Sequence, residues 1–376
     1  MFILLTVLIF LPTFIRAQND DLLDLGVPNY RCAPSLMAPS RVNPTNVNSV
    51  RPADIKLIMA IGDSHTAGNA AKATNALDLF QQYRGVSFTM GGDKSLEQHI
   101  TIPNILRKYN PNLFGYSVGV GHRTNFSVSH LNLAWPGAHS YDLPDQAVDL
   151  VKILEKHVDK NSIQNDWKLL NLFIGTNDLC QYCSNPKKHT KEYFSNNIKK
   201  AIQTIKKSIP RVIVNLIVIF HLDLMRQVDA TPICQGLHTF VCKCEFLHLT
   251  NEQLKQISIS YQNEEKDLEQ SGIFDSNDFT LVVQPFFKDI EHAPRKADGS
   301  VELKFLAPDC FHFSQWGHAD LASWAWKNMM EPVGRKTTRT VSGKAALPLA
   351  CPDPACPFIR TVKNSQNCQK YFTPAA

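Results

Sequence analysis

Neither sign of charge dominates this chain. Thirty-nine Lys and Arg stand against 34 Asp and Glu, a formal net charge of +5, and the basic residues are scattered. That excludes the dense cationic stripe of a nucleic-acid binder, and no nucleic-acid partner is expected. Low-complexity tracts and internal repeats are missing, so fibrous and solenoid architectures drop out. Beyond the first seventeen residues no apolar run is long enough to span a bilayer, so the mature chain is expected to carry no transmembrane anchor. A second metal-type cysteine pair is lacking too. Cys180-Gln-Tyr-Cys183 has ligand-like spacing, but no matching CxxC or His-x3-His follows it, and no metal is expected.

What is present begins with MFILLTVLIFLPTFIRA, followed by the polar QNDD. Residues 1–17 read as a secretory signal peptide cut near Ala17, although no Lys or Arg precedes the apolar run. All ten cysteines lie beyond it, an even count that predicts disulfides made in an oxidising compartment and a secreted, extracellular protein. Asn125-Phe-Ser127 is a glycosylation sequon, whereas Pro44 disqualifies Asn43-Pro44-Thr45.

Residues 18–50 are Pro- and Asn-rich and form an irregular extension; 51–335 carry the patterning of one domain, and 336–376 form a Cys-containing tail expected to pack on it. Short apolar runs predict strands at 55–61, 131–135, 169–174, 212–220 and 279–283. Helices are predicted at 143–157, with Val148, Val151 and Leu154 on one side, and at 193–209, 254–268 and 314–330. This alternation predicts an α/β fold, a three-layer α/β/α sandwich with a mainly parallel central sheet. In such sheets the site forms at the carboxyl ends of the strands.

Ser64 follows the first predicted strand in Ile-Gly-Asp-Ser-His-Thr-Ala-Gly, where a serine projects from the sheet tip and Gly62 permits a tight turn. It fits a nucleophile, but on this motif alone the N-cap of a following helix fits better. A hydroxyl nucleophile needs a base, and the base an orienting carboxylate. Asp309-Cys-Phe-His312 supplies both on one short turn; His318 is the alternative base, set within a predicted helix. Donors for a substrate oxyanion are offered by the Gly137 N–H, in Ala-Trp-Pro-Gly-Ala, and by the Asn177 amide, in Gly175-Thr-Asn177-Asp178.

Taken in order, Gly62-Asp63-Ser64, Gly137, Gly175-x-Asn177-Asp178 and Asp309-x-x-His312 resemble the four blocks of the GDSL or SGNH hydrolases. Longer stretches, among them DWKLLNLFIGTNDLCQYC and APDCFHFSQWGHADLASWAWKNMM, resemble the phospholipase B branch of that family. The resemblance implies a flavodoxin-like SGNH fold over 51–335 and hydrolysis of fatty-acyl esters of phospholipids and lysophospholipids. It implies Ser64 as nucleophile, His312 as base, Asp309 as its orienter, and Ser64 N–H, Gly137 N–H and Asn177 as the oxyanion hole. No cofactor is implied, and contact with lipid surfaces would be transient. A short-chain or carbohydrate acetylesterase of the same fold is the alternative, and a non-catalytic lipid binder a more distant one. One residue departs from the pattern: His65 stands where the family usually carries Leu, near enough to compete for the hydroxyl or to change pocket polarity.

Overall fold

The structure, a computed structural model, describes residues 25–229, 231–242, 249–340 and 349–376. The expected signal peptide and Cys244 lie outside the described residues.

Four parallel strands form the central sheet in the order β1 (Ile55–Gly62), β2 (Trp167–Phe173), β3 (Val212–Ile217), β4 (Phe279–Gln284). Apart from Lys56 every strand residue is buried, as expected of a sheet covered on both faces. After β1 the chain makes the short helix α1 (Ser64–Ala67), then α2 (Ile102–Tyr109) and α3 (Leu143–His157). Beyond β2 come α4 (Thr176–Gln181) and α5 (Lys191–Ser208), then α6 (Pro232–Val241) and α7 (Asn251–Gln270) after β3, and α8 (Gln315–Met330) after β4. Helix α3 packs on β1 and α5, α5 on α7, and α7 on β4. Because the strand order advances steadily, right-handed crossovers put these three helices on one face. Helix α8 packs against β4 and α2 and covers the other, which completes an α/β/α arrangement.

Two expectations need correcting. The strand predicted at 131–135 is reduced to a short contact with β1: Leu131 O accepts from Ala60 N, Leu133 N donates to Ala60 O, and Trp135 N donates to Gly62 O. The Gly62 N–H that the next rung would use goes instead to Gln146 Oε1, and the buried Arg84 guanidinium takes the carbonyls of Asn132 and Ala134, which face away from β1. Helix α3 also buries a different stripe. Leu143, Ala147, Leu150 and Leu154 face inward, while Val148 is 40% exposed, because Gln146 turns toward β1 and bonds both backbone groups of Gly62 at 2.8 Å.

The tail is tied to the opposite end of the chain. Cys32 is disulfide-bonded to Cys351, Ile359 N donates to Val50 O, and Arg360 N donates to Met329 O. Three further disulfides, Cys180–Cys242, Cys234–Cys310 and Cys356–Cys368, are present among the described residues. Cys180 is therefore unavailable as a metal thiolate.

Candidate active site

Gly62 pairs with Phe173 in the sheet register, so the turns that follow β1 and β2 emerge side by side at the carboxyl edge. A side chain at position 62 is impossible: its Cβ would lie 2.4 Å from the Phe173 carbonyl oxygen. Asp63, not Ser64, caps the short helix, its carboxylate accepting the His65 N–H at 2.9 Å. The capping need is thus met by the neighbour, and the hydrogen bonds found among the described residues include none from the Ser64 hydroxyl. Asp63 is fully buried, and burial raises its carboxyl to about 7, against the pull of the His65 amide and of His312.

The loop between β4 and α8 carries Asp309 and His312. Asp309 Oδ1 accepts the backbone N–H groups of Phe311 and His312, and His312 Nδ1 lies 2.6 Å from Asp309 Oδ2. Burial works to raise the Asp309 carboxyl, but the charge and hydrogen bond of His312, with the two amides, overturn it and hold it down to about 2. An ionised Asp309 keeps the proton on Nδ1 and leaves Nε2 for another partner. The loop is pinned from outside as well: Cys310, between the two residues, is disulfide-bonded to Cys234 of α6. His238 of the same helix, held by Asp229, contacts the Cys310 carbonyl at 3.2 Å.

His65 brings the two halves together, since its ring centroid is 5.4 Å from that of His312. Its own imidazole points into a cage of Phe173, Phe220, Phe311 and Phe313 at 4.6–5.9 Å, and it is 1% exposed. Neither ring nitrogen has a hydrogen-bond partner among the described residues. Burial, followed by the charge of His312, pushes its pKa far below the usual histidine range. A neutral, caged imidazole of this kind does not compete for a neighbouring hydroxyl. His318 is no rival base either: it is buried on α8, and its Nδ1 accepts the Phe88 N–H at 3.2 Å.

Gly137 is exposed, with φ of +79° and open space where a side chain would stand, in a left-handed turn whose N–H is taken by no backbone carbonyl among the described residues. Asn177, on the first turn of α4, donates from Nδ2 to the Ala138 carbonyl at 2.8 Å and so sits against the same turn. Sequence reasoning assigned no role to Asp178. It is fully buried and accepts both the N–H and the hydroxyl of Ser140, clamping α4 to the 137–140 turn. A carboxylate beside Asn177 with no basic residue nearby in sequence was the available signal.

A hydroxyl at a strand tip, an imidazole–carboxylate pair in ring contact with the residue after it, and N–H donors on neighbouring turns are groups that acyl transfer uses. A family model described as GDSL-like Lipase/Acylhydrolase matches residues 58–325. "Phospholipase B1, membrane-associated" of Mus musculus is 41% identical over 338 residues, 87% of this chain and 22% of that protein. The Homo sapiens protein of the same name is 40% identical over 337 residues, 87% of this chain and 23% of that protein. The chain therefore spans less than a quarter of the length of these curated relatives. Among solved structures, a GDSL-like lipase from Parabacteroides merdae aligns with a TM-score of 0.40 at 15% identity, over 73% of this chain and 95% of that one.

Proposed function

The chain belongs to the GDSL-like lipase/acylhydrolase family, and from that premise we propose that it hydrolyses fatty-acyl esters of phospholipids and lysophospholipids. The observation that carries the reading is the 2.6 Å Asp309–His312 pair, whose imidazole lies against the residue next to Ser64. Ser64 Oγ attacks the ester carbonyl while His312 Nε2 takes its proton, and Asp309 stabilises the imidazolium. The tetrahedral oxyanion is held by the N–H groups of Ser64 and Gly137 and by the Asn177 amide. Its collapse expels the alcohol, which receives the proton from His312, and water then releases the fatty acid from the acyl-enzyme by the same steps.

An apolar cavity of about 90 Å³ would take the first few methylenes of an acyl chain, which favours a fatty-acyl over an acetyl ester. It opens beside His312 and is lined by Phe220, Leu224, Phe287, Phe311 and Phe313. The hydrolase domain is read as 51–335, with the tail as its brace. Four disulfides among the described residues support an oxidising, extracellular setting. No described helix is long and apolar enough to cross a membrane, while the relatives carry "membrane-associated" in their name. Asn125 is exposed and fits a glycan acceptor.

The test is labelling with a serine-directed fluorophosphonate, followed by kcat/KM across acyl lengths for the native chain and for Ser64→Ala. Labelling at Ser64, preference for long chains and a loss of at least about a thousandfold in folded Ser64→Ala are expected. Near-normal turnover without the hydroxyl refutes the assignment, and a maximum on acetyl esters refutes the lipid substrate.

A further inference from the structure

A second cavity, built on the segments that follow Ser64 and precede Gly137, has a different chemistry. It is open, about 440 Å³, and is lined by Asn69, Gln82, His122, Arg123 and Trp135, with Phe80 at its rim. The chain links it to the catalytic edge at two points. Asn69 N donates to the Ser64 carbonyl, and Trp135 N donates to that of Gly62, two residues before Gly137. We propose that this cavity is the subsite for the phosphate group of a glycerophospholipid headgroup, with Arg123 and His122 as its cationic and hydrogen-bonding partners. The inference rests on the hydrolase reading above and names the half of the substrate that leaves with the alcohol.

Positive charge accumulates here. The Arg123 guanidinium lies 4.0 Å from the Trp135 ring centroid, so its plane is fixed and its remaining N–H groups are pre-oriented. One carboxylate, Asp149, touches it, at 3.3 Å from Nη1, and occupies only one of five donors. Beneath it, Arg84 is fully buried and spends its donors on the carbonyls of Gly121, Asn132 and Ala134 and on Gln82 Oε1. No acid offsets it: burial, then the charge of Arg123, push this guanidinium down to about 9. His122 is lowered as well, by burial and then by the charges of both arginines. A guanidinium and an imidazole lining an open cavity, with a second guanidinium buried behind them, favour an anion, and a planar, stacked Arg suits phosphate oxygens. Phe80, which lines the cavity, is 81% exposed, and Leu77 at the start of the same turn is 79% exposed, an apolar surface where a lipid would enter. An apolar cavity on the His312 side and a cationic one on the Gly137 side match the two halves of an acyl phosphoester lipid.

The experiment uses the full chain and compares phosphatidylcholine with diacylglycerol of the same acyl chains, in the same mixed micelles. The phospholipid-to-diacylglycerol ratio of kcat/KM is expected to fall at least about tenfold in Arg123→Gln and less in Arg123→Lys, which keeps the charge. An unchanged ratio, even with both rates lowered together, overturns the subsite, because a merely structural arginine would affect both lipids alike. Inhibition of short-ester hydrolysis distinguishes the source of the phosphate. Competition by glycerophosphocholine supports the headgroup, competition by inorganic phosphate alone reassigns the cavity to free phosphate, and competition by neither overturns it. If no ester is turned over at all, the hydrolase reading fails separately. Phosphorus-31 line broadening of glycerophosphocholine by Ser64→Ala, and its loss on adding Arg123→Gln, still decides the subsite.

Discussion

Asp178 accepts both the backbone N–H and the hydroxyl of Ser140, at 2.8 and 2.7 Å, from a position with no solvent exposure. The 137–140 turn and the Asn177 helix are thereby one rigid piece, so the donors proposed for the oxyanion are held before substrate arrives. In Asp178→Asn the amide can still accept the Ser140 N–H, but the carboxylate's charge is lost and the Ser140 hydroxyl must turn from donor to acceptor. We expect kcat to fall at least about tenfold with KM within about threefold, since the ground-state ester needs this geometry less than the tetrahedral intermediate. A KM effect with unchanged kcat would point to simple substrate binding instead.

The two histidines near Ser64 should behave differently. His312→Ala is expected to abolish turnover on every ester, whereas His65→Leu should keep kcat/KM within about tenfold on a short ester. His65 touches Phe311 and Phe313, which line the apolar cavity, so His65→Leu should shift acyl-chain preference. It should also raise Tm, because it replaces two buried ring nitrogens that lack partners with methyl groups. A His65→Leu protein as inactive as His312→Ala would contradict the caged, neutral imidazole.

Asp309 links the site to acid stability. Its folded pKa of about 2 lies below the ordinary 3.8, so its contribution is fully present above 3.8 and is lost as pH falls through about 2. Asp63 runs the other way: raised to about 7, it favours the fold below 3.8 and loses that contribution as pH rises through 7. Tm measured between pH 4 and 2 should therefore fall less steeply in Asp309→Asn than in the native chain. Parallel curves would mean that the Asp309–His312 pair does not persist in solution.

Eight cysteines are paired among the described residues. Thiol titration of the unreduced, denatured protein should find at most two reactive thiols per chain, and finding more would break the disulfide framework. Cys234→Ser combined with Cys310→Ser should lower kcat while Ser64 still labels, because that bond anchors the turn between Asp309 and His312.

Much of this was legible in the sequence for a local reason. A parallel strand buried on both faces reads as an unbroken apolar run, and the runs at 55–61, 169–174, 212–220 and 279–283 each became a strand. Asp309 and His312 were readable together because three residues of one turn bring their side chains into contact. Packing settled what spacing could not. The segment 131–135 has a strand's composition, yet distant Gln146 takes the Gly62 N–H that its ladder to β1 would use. The sequence shows a serine at a strand end but not that Asp63 takes over the cap and leaves Ser64 unencumbered. It shows His65 beside Ser64, while only the convergence of Phe173, Phe220, Phe311 and Phe313 from three other parts of the chain seals that imidazole away from the hydroxyl. Patterns set by neighbours along the chain can be read from it directly. Competition for a hydrogen bond or a cavity between residues far apart in sequence is resolved only when the chain has closed on itself.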